Sequence, residues 1–233
     1  MKDFTWFQNL LVASGAYLPP IKSRVKVMLA EYDLKCACQQ PKKFRAYRVS
    51  GKLIKQAALK SAGIGGLTGI PANLPLLGTI GTVLVGSAVD FYYLMRVQVE
   101  LCYSISVAYE VEMDEEELKA VTLALLGFSG SAEAFKAITS TVMRKMIDEL
   151  AQNYLRNGIA KASSDVAVRL IPRLMQSNFK YLPFLGIPLS ASINVVSTMT
   201  VGNHARRYFN IISEGGLQID NHESDMDLTD LIS

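Results

Sequence analysis

The sequence predicts an all-α protein, with one helical domain over residues 1–213 and a flexible acidic tail over residues 214–233. Apolar residues recur at three- and four-residue steps through most of the chain, which is the period of an amphipathic helix. No alternating run of β-branched residues is long enough to indicate a sheet. Apolar residues make up 50% of the chain, and mean hydropathy is +0.21. This composition is too polar for a bundle of membrane spans.

Punctuating residues divide the domain into helices. Pro19 and Pro20 end a first helix, Pro41 opens a basic segment, and Gly63 to Gly69 ("GIGGLTG") reads as a flexible hinge. Asp114 is a predicted N-cap, with Glu117 closing a capping box. The predicted helices are 4–13, 21–35, 114–127, 132–156 and 164–178, with a bend at Pro172. A further helix is predicted from an apolar stripe that includes Gln98 and is formed by Phe91, Leu94, Leu101, Ile105 and Ala108. The last stretch with a helical pattern is 182–213.

Charge is distributed unevenly along the chain. Residues 1–60 form a basic part with 12 Lys and Arg against 3 Asp and Glu, whereas residues 214–233 hold 6 acids and no Lys or Arg. The residues between them are balanced. A basic head, a neutral apolar body and an acidic tail are three different kinds of segment.

The basic segment is the main candidate for a binding surface. Its cations are interleaved with apolar residues, a pattern that fits contact with anionic lipid and also fits a solvated helix face. Nucleic-acid binding is not expected, because no recognised nucleic-acid-binding domain accompanies the charge. The predicted membrane-binding residues are Lys42, Lys43, Arg45, Arg48, Lys52 and Lys55.

Two glycine- and proline-rich apolar helices carry small or polar residues at every fourth position, which places these residues on one face. Small residues allow two helices to approach closely, so we expect the two strips to cross in the core. In the alternative, each helix packs elsewhere. The predicted crossing residues are Gly78, Thr82, Gly86 and Asp90 in the first helix and Gly186, Ser190 and Asn194 in the second.

The uncharged run that leads to Asp90 is long enough to suggest a membrane span. Pro71 and Pro75 interrupt it, and glycines are frequent within it. We therefore expect Leu74 to Val89 to be mainly a buried helix, with a membrane span or re-entrant insertion into a bilayer as the alternative.

The sequence predicts no catalytic, metal or cofactor site. "GIGGLTG" lacks the Gly-Lys-Ser/Thr ending of a phosphate loop and does not follow a strand. The acids at 110–117 are explained by the start of a helix. His204 has no partner that can be read from the sequence, and the neighbouring Arg206 and Arg207 disfavour its protonation.

The acidic tail alternates acids with apolar residues beyond a Gly215-Gly216 break. Such segments fold onto partners or act only as solubilising tails. If the tail docks onto a protein partner, the expected contact residues are Met226, Leu228, Leu231 and Ile232.

Two stretches resemble the signatures of the EcsC family. The first is "GLTGIPANLPLLGTIGTVLVGSAVDFYYLMRVQVELCYSISVAYEVEMD", and the second is "YLPFLGIPLSASINVVSTMTVGNHARRYF". A departure from the family pattern is Glu110, where the family tends to have glycine. The residues that match are Asp90, Gln98 and Tyr109 in the first stretch and Pro183, Gly186, Asn194, Ala205 and Arg206 in the second.

The resemblance implies a mainly bacterial family, named for a protein encoded beside an ABC-type exporter. Its members are thought to be cytoplasmic or associated with the inner face of the membrane, and it supplies no catalytic residues. We therefore expect a non-enzymatic helical binding module that is cytoplasmic and peripheral to the inner face of the membrane. Its partner would be an anionic membrane surface or a membrane-associated protein. A cytosolic protein that binds a lipid-like ligand is the first alternative, and an enzyme is the second.

Overall fold

The prediction of an all-α domain is confirmed. The computed structural model describes residues 18–35, 41–68, 80–131, 138–166 and 186–213, and their side chains except at 64–68, 80–91 and 186–193; no strand occurs among them. The helices are α1 (Leu18–Lys35), α2 (Lys42–Thr68), α3 (Ile80–Ala108), α4 (Glu115–Ser129), α5 (Ser140–Asn157), α6 (159–166) and α7 (Gly186–Ile212).

Three long helices form the centre of the fold. Helices α2, α3 and α7 pack against one another, α1 covers α2 and α3, and α4 pairs with α5 beside α7. Among the described residues, one hydrophobic cluster runs through these elements. Among the described helices, α2 and α7 share the most extensive contact, so the basic helix is an integral part of the core.

Helix α2 buries one side and exposes the other. Ala46, Val49, Leu53 and Ala57 recur at three- and four-residue steps and are all buried. The prediction of a flexible hinge from Gly63 to Gly69 is wrong for residues 63–68, because α2 continues as helix to Thr68. Extending a formed helix is far easier than starting one, and each glycine costs only about 1 kcal/mol.

The stripe predicted for α3 is confirmed where side chains are described. Leu94, Gln98, Leu101 and Ile105 are buried, and the Gln98 amide nitrogen donates to the Ser197 hydroxyl of α7 at 3.0 Å. The prediction that 74–89 is buried is not tested. Residues 74–79 lie outside the described residues, and the side chains of 80–89 are not described. Within the described parts of the chain, no helix has the length and apolar character needed to cross a membrane.

The start of α4 follows the predicted capping chemistry. The Asp114 carboxylate accepts a hydrogen bond from the Glu117 amide at 2.7 Å, so the predicted N-cap of α4 is confirmed. Helix α4 ends at Ser129, two residues later than predicted, with Gly130 as its C-cap. The predicted start of the next helix at 132 is wrong, because Thr139 is the N-cap of α5 and the helix begins at Ser140. Residues 132–137 lie outside the described residues.

Two other helix boundaries differ from the prediction. Helix α1 begins at Leu18, because proline is tolerated in a first helical turn. Helix α6 already starts at 159, ahead of the predicted 164, and its continuation lies outside the described residues. The predicted helix 4–13 and the acidic tail also lie outside them.

Candidate functional site

The solvent-facing side of α2 combines cations with exposed apolar side chains. The outer face of α2 is defined here by Phe44, Arg48, Lys52, Lys55 and Leu59, whose spacing of three or four residues aligns them on one side of the helix. Phe44 is 36% exposed and Leu59 is 64% exposed. The helical rise places these two residues roughly 22 Å apart. A cationic band is thus flanked by an apolar side chain at each end.

Local contacts and composition keep this surface positive. The Arg48 guanidinium lies over the Phe44 ring, 5.1 Å from its centroid. No Asp or Glu occurs anywhere in α2. The outer face therefore carries no carboxylate of its own helix to neutralise Arg48, Lys52 and Lys55.

The other three predicted membrane-binding residues have internal partners or partly buried positions. Arg45 pairs with Asp33 of α1 at 2.7 Å and with Glu110 at 2.5 Å, and its side chain is only 18% exposed. Lys42 pairs with Glu110 at 3.3 Å but keeps 82% of its side chain exposed. Lys43 is half-buried, and its ammonium nitrogen is buried. Arg45 therefore links α1 and α2 to the turn that follows α3.

Glu110 occupies a backbone position that favours glycine. Its φ is 54°, in the left-handed region that residues other than glycine rarely adopt. The Glu110 side chain forms ion pairs with Lys42 and Arg45.

The predicted crossing of the two glycine-rich helices stays a prediction. Helices α3 and α7 do contact each other. Gly78 lies outside the described residues, and nothing is described of the side chains at Thr82, Gly86, Asp90, Gly186 and Ser190. Asn194 is described, and its carbonyl accepts from the Ser61 hydroxyl of α2 at 3.3 Å.

Gly202 continues the four-residue spacing of the predicted α7 strip beyond Asn194, and it faces α2 as well as α3. A Cβ atom added at Gly202 would lie 2.7 Å from Cγ1 of Ile54 in α2 and 3.0 Å from Cδ2 of Leu101 in α3. Such distances are below van der Waals contact, so only glycine fits there without a shift of its neighbours. The spacing signalled a close approach, but the sequence did not reveal that α2 takes part.

A buried pair that the sequence did not reveal joins α4 and α7. The Ser129 hydroxyl and Nδ1 of His204 are 2.9 Å apart, and the His204 ring meets Phe128 edge-on at 5.1 Å. Burial, followed by the charge of Arg207, lowers the pKa of His204 to about 4. The imidazole is therefore neutral at neutral pH and acts in packing. Arg206 turns away, with its guanidinium 4.3 Å from the Tyr47 ring centroid.

A small cleft opens between α1, α2 and α3. Arg24 and Lys60 line it, and Arg24 donates to the Ser104 hydroxyl at 3.2 Å. Its volume is about 20 Å³, roughly the space of one water molecule. This cleft is too small for a lipid-like ligand.

The acids that begin α4 serve helix formation. Besides the cap at Asp114, Glu115 pairs with Lys119 one turn later at 2.5 Å. Among the residues whose positions are described, no three His, Cys, Asp or Glu side chains are grouped to hold a metal ion.

Fold and surface together define a helical protein in which the core helix α2 presents a cationic face with an apolar side chain at each end. No family model matches the chain, and neither a curated protein nor a solved structure matches it.

Proposed function

We propose that this protein is a non-enzymatic helical module that binds the anionic inner face of a membrane through the outer face of α2. The observation that carries the proposal is the alignment of Arg48, Lys52 and Lys55 between the exposed Phe44 and Leu59. Cations attract acidic headgroups, and the two apolar side chains reach the headgroup boundary.

The rest of α2 supports a surface of fixed geometry. Its opposite side is packed against α3 and α7, so the outer face is presented by a helix that the core holds in place. Little conformational entropy is then lost on binding, unlike in a helix that folds only at the membrane. The proposed kinship with the EcsC family, whose members are thought to act at this location, agrees with this role. The left-handed backbone at Glu110 supports the kinship, since the family tends to have glycine there.

We expect the purified protein to sediment with phosphatidylcholine vesicles that contain about a quarter phosphatidylserine, and not with pure phosphatidylcholine. Raising the ionic strength to about 1 M shortens the Debye length to about 3 Å and should release the protein without detergent. Binding that resists salt and yields only to detergent would contradict an electrostatic surface contact.

A further inference from the structure

Helix α7 runs antiparallel to α2, which determines where the acidic tail leaves the domain. Asn194 contacts Ser61, and Gly202 lies against Ile54. Farther along α7, Arg206 reaches Tyr47. Residue numbers therefore fall along α2 as they rise along α7. The same register brings the end of α7 level with the first turn of α2.

The last described residue is Ser213, whose amide donates to the Phe209 carbonyl at 2.9 Å. The acidic tail thus begins beside the end of α2 at which Phe44 and Arg48 are exposed. Its 20 residues can extend about 66 Å. The outer face of α2 is only roughly 22 Å long, so it lies within reach.

Charge and apolar content are complementary between the tail and this face. The tail has 6 acids and no Lys or Arg, whereas α2 has cations and no acid. The tail also supplies Met226, Leu228, Leu231 and Ile232, which could cover the exposed Phe44 and Leu59. A tethered segment acts at an effective concentration in the millimolar range, so even a weak intrinsic affinity is enough for the tail to bind this face.

We infer that the acidic tail, residues 214–233, docks onto the outer face of α2 in the same molecule and competes there with anionic membrane. The competition rests on the proposed function, but the intramolecular contact does not. The tail would thereby weaken membrane binding until a stronger anionic surface displaces it.

The contact is tested first without membrane, on the full-length protein. A carbodiimide joins carboxylates to lysine amines only where they touch, and mass spectrometry locates the joined residues. We expect tail carboxylates to be joined to Lys52 and Lys55 in the monomer, and not to the exposed Lys145 and Lys161. Equal joining to all four lysines, or joining only within covalent dimers, would overturn the inference.

Competition is tested with two full-length variants that carry the same change in net charge. The tail variant combines Asp225→Asn, Asp227→Asn and Asp230→Asn, and the control combines Glu116→Gln, Glu149→Gln and Asp165→Asn at exposed positions. Since loss of a tethered competitor removes a millimolar effective concentration, we expect the tail variant to bind the phosphatidylserine vesicles about tenfold more tightly. The control should match the parent protein.

The two proposals fail differently. Joining to Lys52 and Lys55 without any vesicle binding would sustain the tail contact and refute the proposed function. If both variants bound vesicles with the same altered affinity, and tail carboxylates were not joined selectively to Lys52 and Lys55, the tail contact would be refuted. The proposed membrane binding would still be supported.

Discussion

Replacing Arg48, Lys52 and Lys55 together by glutamine is expected to weaken binding to phosphatidylserine-containing vesicles about a hundredfold. Each cation near an anionic surface contributes about 1 kcal/mol, so three contribute about 3 kcal/mol. Glutamine preserves helix propensity, and these side chains are exposed or half-buried. The fold should therefore persist, and vesicle sedimentation measures the change.

The matched control removes the same charge elsewhere. Lys145, Arg156 and Lys161 are exposed on α5 and α6, and their replacement by glutamine gives the same net charge. We expect this control to bind nearly as well as the parent protein. Equal loss in both triple variants would mean that net charge, and not the outer face of α2, governs binding.

Gly202→Val is expected to lower the free energy of unfolding by about 2–3 kcal/mol, because overpacking a full core displaces its neighbours. Even the first added carbon would lie 2.7 Å from Ile54 and 3.0 Å from Leu101, where α7 meets α2 and α3. Denaturant unfolding, followed by circular dichroism, measures the loss.

The control for this prediction is Gly63→Val in α2. A Cβ atom at Gly63 would meet nothing within 4 Å, so the same substitution should change stability by no more than about 0.5 kcal/mol. Similar losses in both variants would show that the loss does not depend on the local packing, because valine has a higher helix propensity than glycine, and the close packing at Gly202 would not be supported.

The helices were predictable because their signals are local. The buried positions of α3 follow a period set by the backbone, and Asp114 bonds to an amide only three residues away. The interpretation of the glycines at 63–68 failed because glycine lowers helix stability without forbidding helix, and an established helix extends through such residues.

Contacts between distant segments were not predictable. Ser129 and His204 are separated by 75 residues, and no local pattern pairs them. The same holds for Arg45 and Glu110, whose ion pair removes one cation from the predicted membrane-binding set. The spacing of Phe44, Arg48, Lys52, Lys55 and Leu59 was present in the sequence. This spacing indicated a shared exposed face only once the structure showed which side of α2 is buried.

The central claim is that the outer face of α2 touches the membrane, and a fluorescent label tests it most directly. An environment-sensitive dye is attached to Leu59→Cys or, as the control, to Leu155→Cys on α5, where the native leucines are 64% and 41% exposed. Cys36 and Cys38 are replaced by serine, and Cys102 is buried. With phosphatidylserine vesicles, we predict a blue shift from the dye at 59 and none at 155. A response at 155 alone, or at neither position while the protein sediments with the vesicles, would contradict the claim.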